Sequence, residues 1–286
     1  MLFSLVQEIS TADRSIFTWI ESVWDTSGCD LPETRPWVRV IEMLGDDPAA
    51  PEIATATLIA SHKALYNAAR DPAVVHSFWL LTQVPMCART EDFSAALRAK
   101  GVDVSNAPSI LEISGAFSAA VDSRLRGTTV KTDLGEMGQI AGAETLVSCV
   151  GRELPSLFGA DTRDVQNVLS RFATRNGFAT LAKSYFSRLT ERFLLYYLSR
   201  EVSTHIGPKQ SLANIDDHIE FREALTVHCK ETTRVVEDYA GDWYSKKKFE
   251  ARGTGITERH VSNFLAYAFT KLRAELGKRA GRWSEK

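Results

Sequence analysis

The sequence predicts an all-α protein, a multi-helix bundle of about ten to twelve helices without a substantial sheet. Three observations lead to this prediction. Apolar residues recur at three- and four-residue spacing along almost the whole chain. No apolar–polar alternation is long enough to indicate a strand. Prolines, glycines and capping side chains separate the periodic segments. The chain has 286 residues, 44% of them hydrophobic and 24% charged, which is enough for a large buried core.

The first half of the chain is expected to form short helices. The periodic segments are residues 2–24 with a break at 10–13, 37–44, 51–70, 72–84, 90–100 and 109–126. Pro85 is expected to end its helix, because proline lacks the backbone N–H that the helix interior uses. Gly101 is expected to terminate the next helix in a left-handed conformation. Residues 126–130 are the one stretch where a short extended segment is expected.

The second half is expected to form longer helices. They are predicted over residues 133–153, 161–177, 178–206, 214–239 and 257–276. Asp133 and Asp161 are predicted N-caps, and residues 241–255 are a predicted glycine-containing loop. A weak boundary near residue 128 divides the chain into an N-terminal helical subdomain, 1–128, and a C-terminal one, 129–286. Because the long helices have wide apolar faces that need neighbours, we expect one compact body.

Cysteine use and hydropathy indicate a cytoplasmic protein. The four cysteines are at least fifty-eight residues apart and form no C-x-x-C pair, so a reduced, structural role is expected. The first residues lack a basic region and turn acidic at Glu8, unlike a signal peptide. The longest strongly apolar run, 193–198, is far shorter than the roughly twenty residues of a membrane span. We therefore expect no membrane partner.

Motifs that carry catalysis are absent from the sequence. It contains no Gly-Lys-Ser/Thr, G-x-S-x-G, H-E-x-x-H or EF-hand pattern. Gly135, Gly138 and Gly142 form a small-residue stripe that favours close approach of another helix over phosphate binding. We expect no cofactor, assign no catalytic residue and consider an enzyme less plausible than a binding protein.

One weak metal candidate lies on the predicted helix 214–239. His218, His228 and Glu231 occupy that helix, with His228 and Glu231 one turn apart. A di-iron bundle site would require Glu-x-x-His on two helices, and the chain contains none. The alternative interpretation is an acidic helix start that is stabilised by the helix dipole. An unrecognised enzyme with its site at a helix junction here is the third functional alternative.

The charge distribution singles out the C-terminal segment, residues 241–286. It contains eleven Lys/Arg against five Asp/Glu, whereas residues 1–240 contain twenty-three against thirty-one. Such asymmetry indicates a polyanionic or acidic partner, and aromatic residues beside cations suit base stacking and phosphate contacts. The alternative is that the aromatic rings pack on the body while the lysines stay in water. The candidate residues for binding nucleic acid or a partner are Trp243, Tyr244, Lys246, Lys247, Lys248, Arg252, Arg259, Lys271, Arg273, Lys278, Arg279 and Arg282.

The stretch 256–273 resembles the recognition helix of region 4 in the sigma-70 family. The matching residues are Thr257, Val261, Ala266, Ala268, Lys271, Leu272 and Arg273. The resemblance covers about eighteen residues and implies a helix in a major groove, with Glu258, Arg259, Ser262 and Asn263 at the bases. The sequence departs from the family in the bulk of Leu265 and Tyr267. In addition, residues 243–255 do not read as the first helix of a helix-turn-helix.

These patterns favour a non-enzymatic interaction or accessory subunit that docks on a protein partner or assembles as a homo-oligomer. Six tryptophans and many aliphatic side chains on amphipathic helices motivate this hypothesis, since some of them exceed what one monomer buries. A multi-gene system such as defence or regulation would suit such a subunit. The alternative is a nucleic-acid-binding protein that uses the basic C-terminal segment and the last helix.

Overall fold

The computed structural model describes residues 67–126, 131–155, 160–204, 215–250 and 255–283, with isolated positions at 40, 43, 56, 57 and 60. All of them lie in one compact unit that spans Arg35–Lys286. The described ranges are mostly helical and contain no strand, which confirms the all-α class. The helices predicted before residue 67, and the extended stretch at 127–130, lie outside these ranges.

The helices are numbered here in chain order. They are α1 Pro72–Cys87, α2 Phe93–Arg98, α3 Ile110–Leu125, α4 Asp133–Gly151, α5 Thr162–Arg171, α6 Arg175–Thr204, α7 Ile215–Thr232, α8 Arg234–Glu250 and α9 Glu258–Trp283. Over the ranges that the structure describes, this is fewer than the ten to twelve helices predicted. None of these helices is both long enough and apolar enough to cross a membrane.

Short polar side chains cap several helix starts, and among them the cap at Asp161 confirms a prediction from the sequence. The Asp71 carboxylate accepts from the N–H of Ala73 at 2.9 Å, and Asp161 forms a capping box with Asp164. Gly101 ends α2 with a φ of +83°, the left-handed geometry that glycine adopts without strain. One predicted cap is wrong, because the α4 cap is Thr132 rather than Asp133.

The prediction that Pro85 ends α1 is wrong. α1 continues through Pro85 to Cys87, and the Ala88 N–H still donates to the Val84 carbonyl at 3.2 Å. A proline in the last turn removes one helical hydrogen bond, whereas the buried apolar side chains of the same turn hold it in place. Val84 is fully buried and Cys87 is 4% exposed.

The predicted helix 214–239 and loop 241–255 are also wrong. The helix breaks at Thr233, and α8 then runs through Gly241 to Glu250. The side chains of Thr232 and Thr233 donate back to the carbonyls of His228 and Cys229 at 2.7 Å, a competition with the backbone that weakens a helix. Gly241 is not a terminator: an added Cβ would lie 2.5 Å from the Arg175 carbonyl, so glycine lets α8 approach α6.

Two further boundaries differ from those predicted. α5 ends at Arg171 rather than at 177, because Thr174 caps α6 by accepting from the Gly177 N–H at 3.1 Å. α9 continues past the expected end at 276 to Trp283, so the basic positions 278–282 lie on a helix.

The core lies where α1, α4, α6 and α9 meet. The Phe78 ring of α1 lies 5.2–5.8 Å from the rings of Phe178, Tyr185, Phe186 and Phe264. Edge-to-face and offset stacking of such rings adds to the stabilisation from burying their area. An added Cβ on Gly142 of α4 would lie 2.6 Å from Phe117, which confirms the close-approach interpretation of the glycine stripe. Helices from both sides of residue 128 share this core, and the proposed subdomains remain a prediction.

Candidate binding cleft between α8 and α9

A cleft of about 350 Å³ opens between α8 and α9, and we call it the α8–α9 cleft. Its α8 wall is a stripe at four-residue spacing, and its α9 wall has three- and four-residue spacing, so each set lies on one helix face. The lining residues are Tyr239, Trp243 and Lys247 from α8 and His260, Asn263, Phe264 and Tyr267 from α9.

Aromatic rings form the floor and the rim of the cleft. Trp243 stacks on Phe264 with ring centroids 4.3 Å apart and planes inclined by 27°. Phe264 is 3% exposed and belongs to the core, whereas Trp243 is half-buried. At the rim, Tyr239 and Tyr267 meet edge to face at 5.1 Å, and Tyr267 is 48% exposed. The cleft therefore presents aromatic surface to solvent above a fixed base.

The charges around the cleft are unequal. None of the seven lining residues is acidic. Lys247 lies on the α8 wall with its Nζ 2.7 Å from the Glu250 carboxylate, and the Lys271 Nζ lies 5.3 Å from the centroid of the Tyr267 ring. Burial raises the pKa of Tyr239, helped by Tyr267 and Asp238, so its phenol keeps its proton at neutral pH. The cleft is thus aromatic, with cations on two sides.

The lysine run divides into three different environments. Lys246 points into solvent with its side chain 73% exposed and lies 3.8 Å from Glu250. Lys247 lines the cleft. Lys248 folds back to donate to the Ala173 carbonyl at 3.1 Å, just past the end of α5, and burial followed by the nearby Arg89 lowers its pKa. The three adjacent lysines therefore have separable roles.

The other predicted binding residues are also dispersed. Tyr244 is 1% exposed and stacks on Phe178 at 4.1 Å, so its ring belongs to the core rather than to a surface. Arg259 is exposed on the first turn of α9. Arg252 lies outside the described residues, as do the side chains of Arg273, Lys278, Arg279 and Arg282.

Sequence reasoning missed Tyr239, His260, Asn263, Phe264 and Tyr267 as cleft residues. The pattern that could have revealed the α8 wall is the four-residue spacing of 239, 243 and 247. The expected helix end at Tyr239 concealed it. Once the chain is helical through Glu250, the three side chains lie on one face.

A second polar cluster, His76, Arg124 and Glu258, joins α9 to α1 and α3. The His76 Nδ1 lies 2.7 Å from one Glu258 oxygen, and Arg124 donates to both oxygens at 3.2 and 3.1 Å. Burial lowers the pKa of His76 although Glu258 opposes this, so the contact is a hydrogen bond from a neutral imidazole. Burial would raise the pKa of Glu258, but hydrogen bonds from Arg124 and His76 lower it overall. This cluster fastens the start of α9 to the body.

Two further contacts fasten the same side of α9. Trp79 Nε1 donates to the Ile256 carbonyl at 2.7 Å, and the Ser262 hydroxyl donates to the Ala69 carbonyl at the same distance. Glu258 and Ser262, which the resemblance to the sigma-70 family places in a major groove, are therefore engaged within the protein. Asn263 and Arg259 are exposed.

The metal candidate gains no support from geometry. Within the part of the chain that the structure describes, no three His, Cys, Asp or Glu side chains come together to hold a metal ion. His228 is 9% exposed on α7, Glu231 is exposed, and the side chain of His218 lies outside the described set.

The chain matches no protein-family model, no curated protein and no solved structure.

Proposed function

We propose that this protein is a non-enzymatic interaction or accessory subunit that docks on a protein partner through the α8–α9 cleft. The observation that carries the proposal is the aromatic rim, where Tyr267 is 48% exposed and meets the half-buried Tyr239 beside Lys247 and Lys271. Tyrosine and tryptophan dominate the energetics of protein interfaces because they contribute large, rigid contact area at little entropic cost. A multi-gene system, such as one for defence or regulation, suits such a subunit.

The rigidity of the cleft floor supports this function. Phe264 contacts Phe78 at 5.4 Å and Phe186 at 6.3 Å, so its ring is held from the core side. A preformed site avoids the ordering cost that weakens association. The partner would therefore meet a shaped surface rather than induce one.

Nucleic-acid binding is the second candidate, and one observation favours it. α9 carries Arg259 and Lys271 in exposed positions and continues as a helix through the basic positions 278–282. A run of cations on one helix could follow a phosphate backbone. Two of the aromatic faces that base stacking would use are already covered, since Trp243 and Phe264 stack on each other.

The test is site-specific photo-crosslinking in the native cells. A benzophenone amino acid replaces Tyr267 in the cleft in one sample. In the control it replaces Leu111 of α3, which is 42% exposed and distant in sequence from the cleft. We expect a discrete protease-sensitive adduct at 267 that is absent at 111. The crosslinked partner, once purified, should bind the wild type and lose at least about tenfold in affinity with Tyr267→Ala.

Other outcomes separate the candidates. A nuclease-sensitive adduct at 267 would replace the proposal with the nucleic-acid alternative. An adduct whose mass is twice that of the chain would identify the partner as a second copy. Equal adducts at both positions, or none at 267, would contradict docking through this cleft.

A further inference from the structure

We infer that the α8–α9 cleft recognises an acidic segment of a protein partner that carries one large aromatic side chain. The ring would enter the cleft, and the neighbouring carboxylates would lie beside Lys247 and Lys271. This inference rests on the proposed function and adds the chemistry of the partner to it.

The shape of the cleft indicates an inserted aromatic side chain. Its volume, about 350 Å³, lies at the small end of the range for ligand pockets, about 300–1,000 Å³. The rim rings Tyr239 and Tyr267 meet edge to face, and aromatic rings favour this geometry or offset stacking with a further ring. A partner aromatic ring would extend the existing cluster of Trp243 and Phe264 outward.

The charges indicate that the flanking groups are acidic. Lys247 and His260 line the cleft, the Lys271 ammonium lies 5.3 Å from the centroid of the Tyr267 ring, and no acidic residue is among the lining residues. The neighbouring carboxylates of α8 are engaged, since Glu250 pairs with Lys247 and Lys246, and Asp242 pairs with Arg175. Asp238, exposed beside Tyr239, is the one nearby acid for which the described contacts show no ion pair.

The ion pair between Glu250 and Lys247 leads to a specific prediction for the binding of an acidic segment. The Glu250 carboxylate lies 2.7 Å from the Lys247 ammonium, so its negative charge both offsets that of Lys247 and repels an incoming carboxylate. Removing the Glu250 charge should therefore strengthen binding, whereas removing the Lys247 charge should weaken it. A surface that recognised a basic or neutral segment would respond in the opposite way or not at all.

The experiment uses fluorescein-labelled peptides and the 286-residue protein, with anisotropy as the readout. The probe is a peptide with a single tryptophan between two runs of glutamate. Matched peptides carry lysine or serine in place of glutamate, or alanine in place of tryptophan. We expect the glutamate–tryptophan peptide to bind at least about tenfold more tightly than the lysine or alanine peptides, with affinity that falls as salt rises.

Matched variants of α8 assign the effect to the cleft. Lys247→Ala should weaken the probe's binding about fivefold or more, and Glu250→Gln should strengthen it about twofold or more. Lys246→Ala is the control, because it removes the same charge from the adjacent, solvent-exposed position. The charge reversal Lys247→Glu should increase the affinity for the lysine peptide relative to the glutamate peptide. A misfolded variant would not gain affinity in this way.

Several results would overturn the inference. They are equal binding of the glutamate and lysine peptides, equal loss in Lys246→Ala and Lys247→Ala, or no binding of any peptide. An oligonucleotide that bound more tightly than every peptide and lost affinity in Lys247→Ala would also overturn it. If the peptides fail while crosslinking at position 267 still captures a protein, the proposed function stands and only the partner chemistry is wrong.

Discussion

The two sides of α9 differ in how completely they are partnered. On the side toward α1 and α3, Glu258 and Ser262 are hydrogen-bonded to the body, and Val261 and Leu265 are fully buried. On the side toward α8, Tyr267 is 48% exposed, and Asn263 and Lys271, one turn to either side of it, are exposed as well. One side of α9 is therefore committed to the fold, whereas the other leaves aromatic surface that the proposed partner would cover.

The difference is chemical as well as geometric. The α1 side satisfies buried polar groups, and an unsatisfied buried group would cost about 1–3 kcal/mol. The α8 side leaves aromatic area in water that burial would stabilise by about 25 cal/mol per Å². Loss of the first kind of contact should reduce stability, whereas loss of the second should reduce binding alone.

Phe264→Ala should have the largest effect, because Phe264 belongs to both sides. It is 3% exposed and contacts Phe78, Phe186 and Trp243. We expect a loss of about 3–5 kcal/mol in the free energy of unfolding, from the lost burial and the cavity that remains. Urea denaturation followed by circular dichroism measures it. A loss below 1 kcal/mol would show that the cleft floor is not part of the core.

Glu258→Ala should have the next largest effect. It leaves His76, whose side chain is 8% exposed, and Arg124 without their shared partner. We expect a loss of about 1–3 kcal/mol in the free energy of unfolding. Arg259→Ala, one residue along and exposed, is the control and should change stability by less than about 0.5 kcal/mol. Equal losses of stability in the two variants would show that the cluster of His76, Arg124 and Glu258 does not hold the start of α9 to the body.

Acidification should reduce the free energy of unfolding by weakening the contacts that hold α9 to α1. Burial lowers the pKa of His76 from 6.5 in the folded protein, so the unfolded chain takes up this proton first. The contribution of His76 to the free energy of unfolding is complete above pH 6.5. It is lost as the pH falls toward the pKa of His76 in the folded protein. The lowered pKa of Glu258 acts in the same direction only around and below its ordinary value of 4.5.

Denaturation at pH 7.5 and 5.5 isolates the histidine. We expect wild type to lose more stability over this interval than His76→Asn, which cannot titrate and retains a donor for Glu258. An equal loss in both proteins, or a gain of wild-type stability in acid, would contradict the assignment of a neutral, buried His76.

Substitutions in the lysine run of α8 should have the smallest effects on stability, and they contrast a lysine that contacts the body with one in solvent. Lys248→Ala should cost about 0.5–1.5 kcal/mol, because its Nζ donates to the Ala173 carbonyl. Lys246→Ala should leave the free energy of unfolding within about 0.5 kcal/mol of wild type. Thermal and urea denaturation of both variants make the measurement. The reverse order would mean that the Lys248 contact does not form in solution.

The helical class and the Asp161 cap could be predicted from the sequence. The 3.6-residue period and a capping side chain act through local geometry, which a sequence displays directly. The glycine stripe of α4 was also interpretable, because small residues at helical spacing have few other uses.

The cleft could not be predicted, because tertiary contacts determine two of its features. These are the helical conformation at Gly241 and the faces of α8 and α9 that are buried. Gly241 looks like a helix terminator, yet the close approach of α8 to Arg175 keeps it helical. Whether Tyr244 or Tyr267 stays in water depends on which face meets α6, and no pattern within α8 or α9 reveals that. Of the residues that line the cleft, the interleaved aromatic and basic residues of the sequence singled out Trp243 and Lys247 and not the other five.

The α8 side of α9 is proposed to serve a partner rather than the fold. The most direct test measures stability and partner affinity together in Tyr267→Ala, with the protein recovered by crosslinking at position 267 as the ligand. We expect a free energy of unfolding within about 0.5 kcal/mol of wild type and at least tenfold weaker binding. Unchanged binding, or a loss of stability comparable with that of Phe264→Ala, would contradict it.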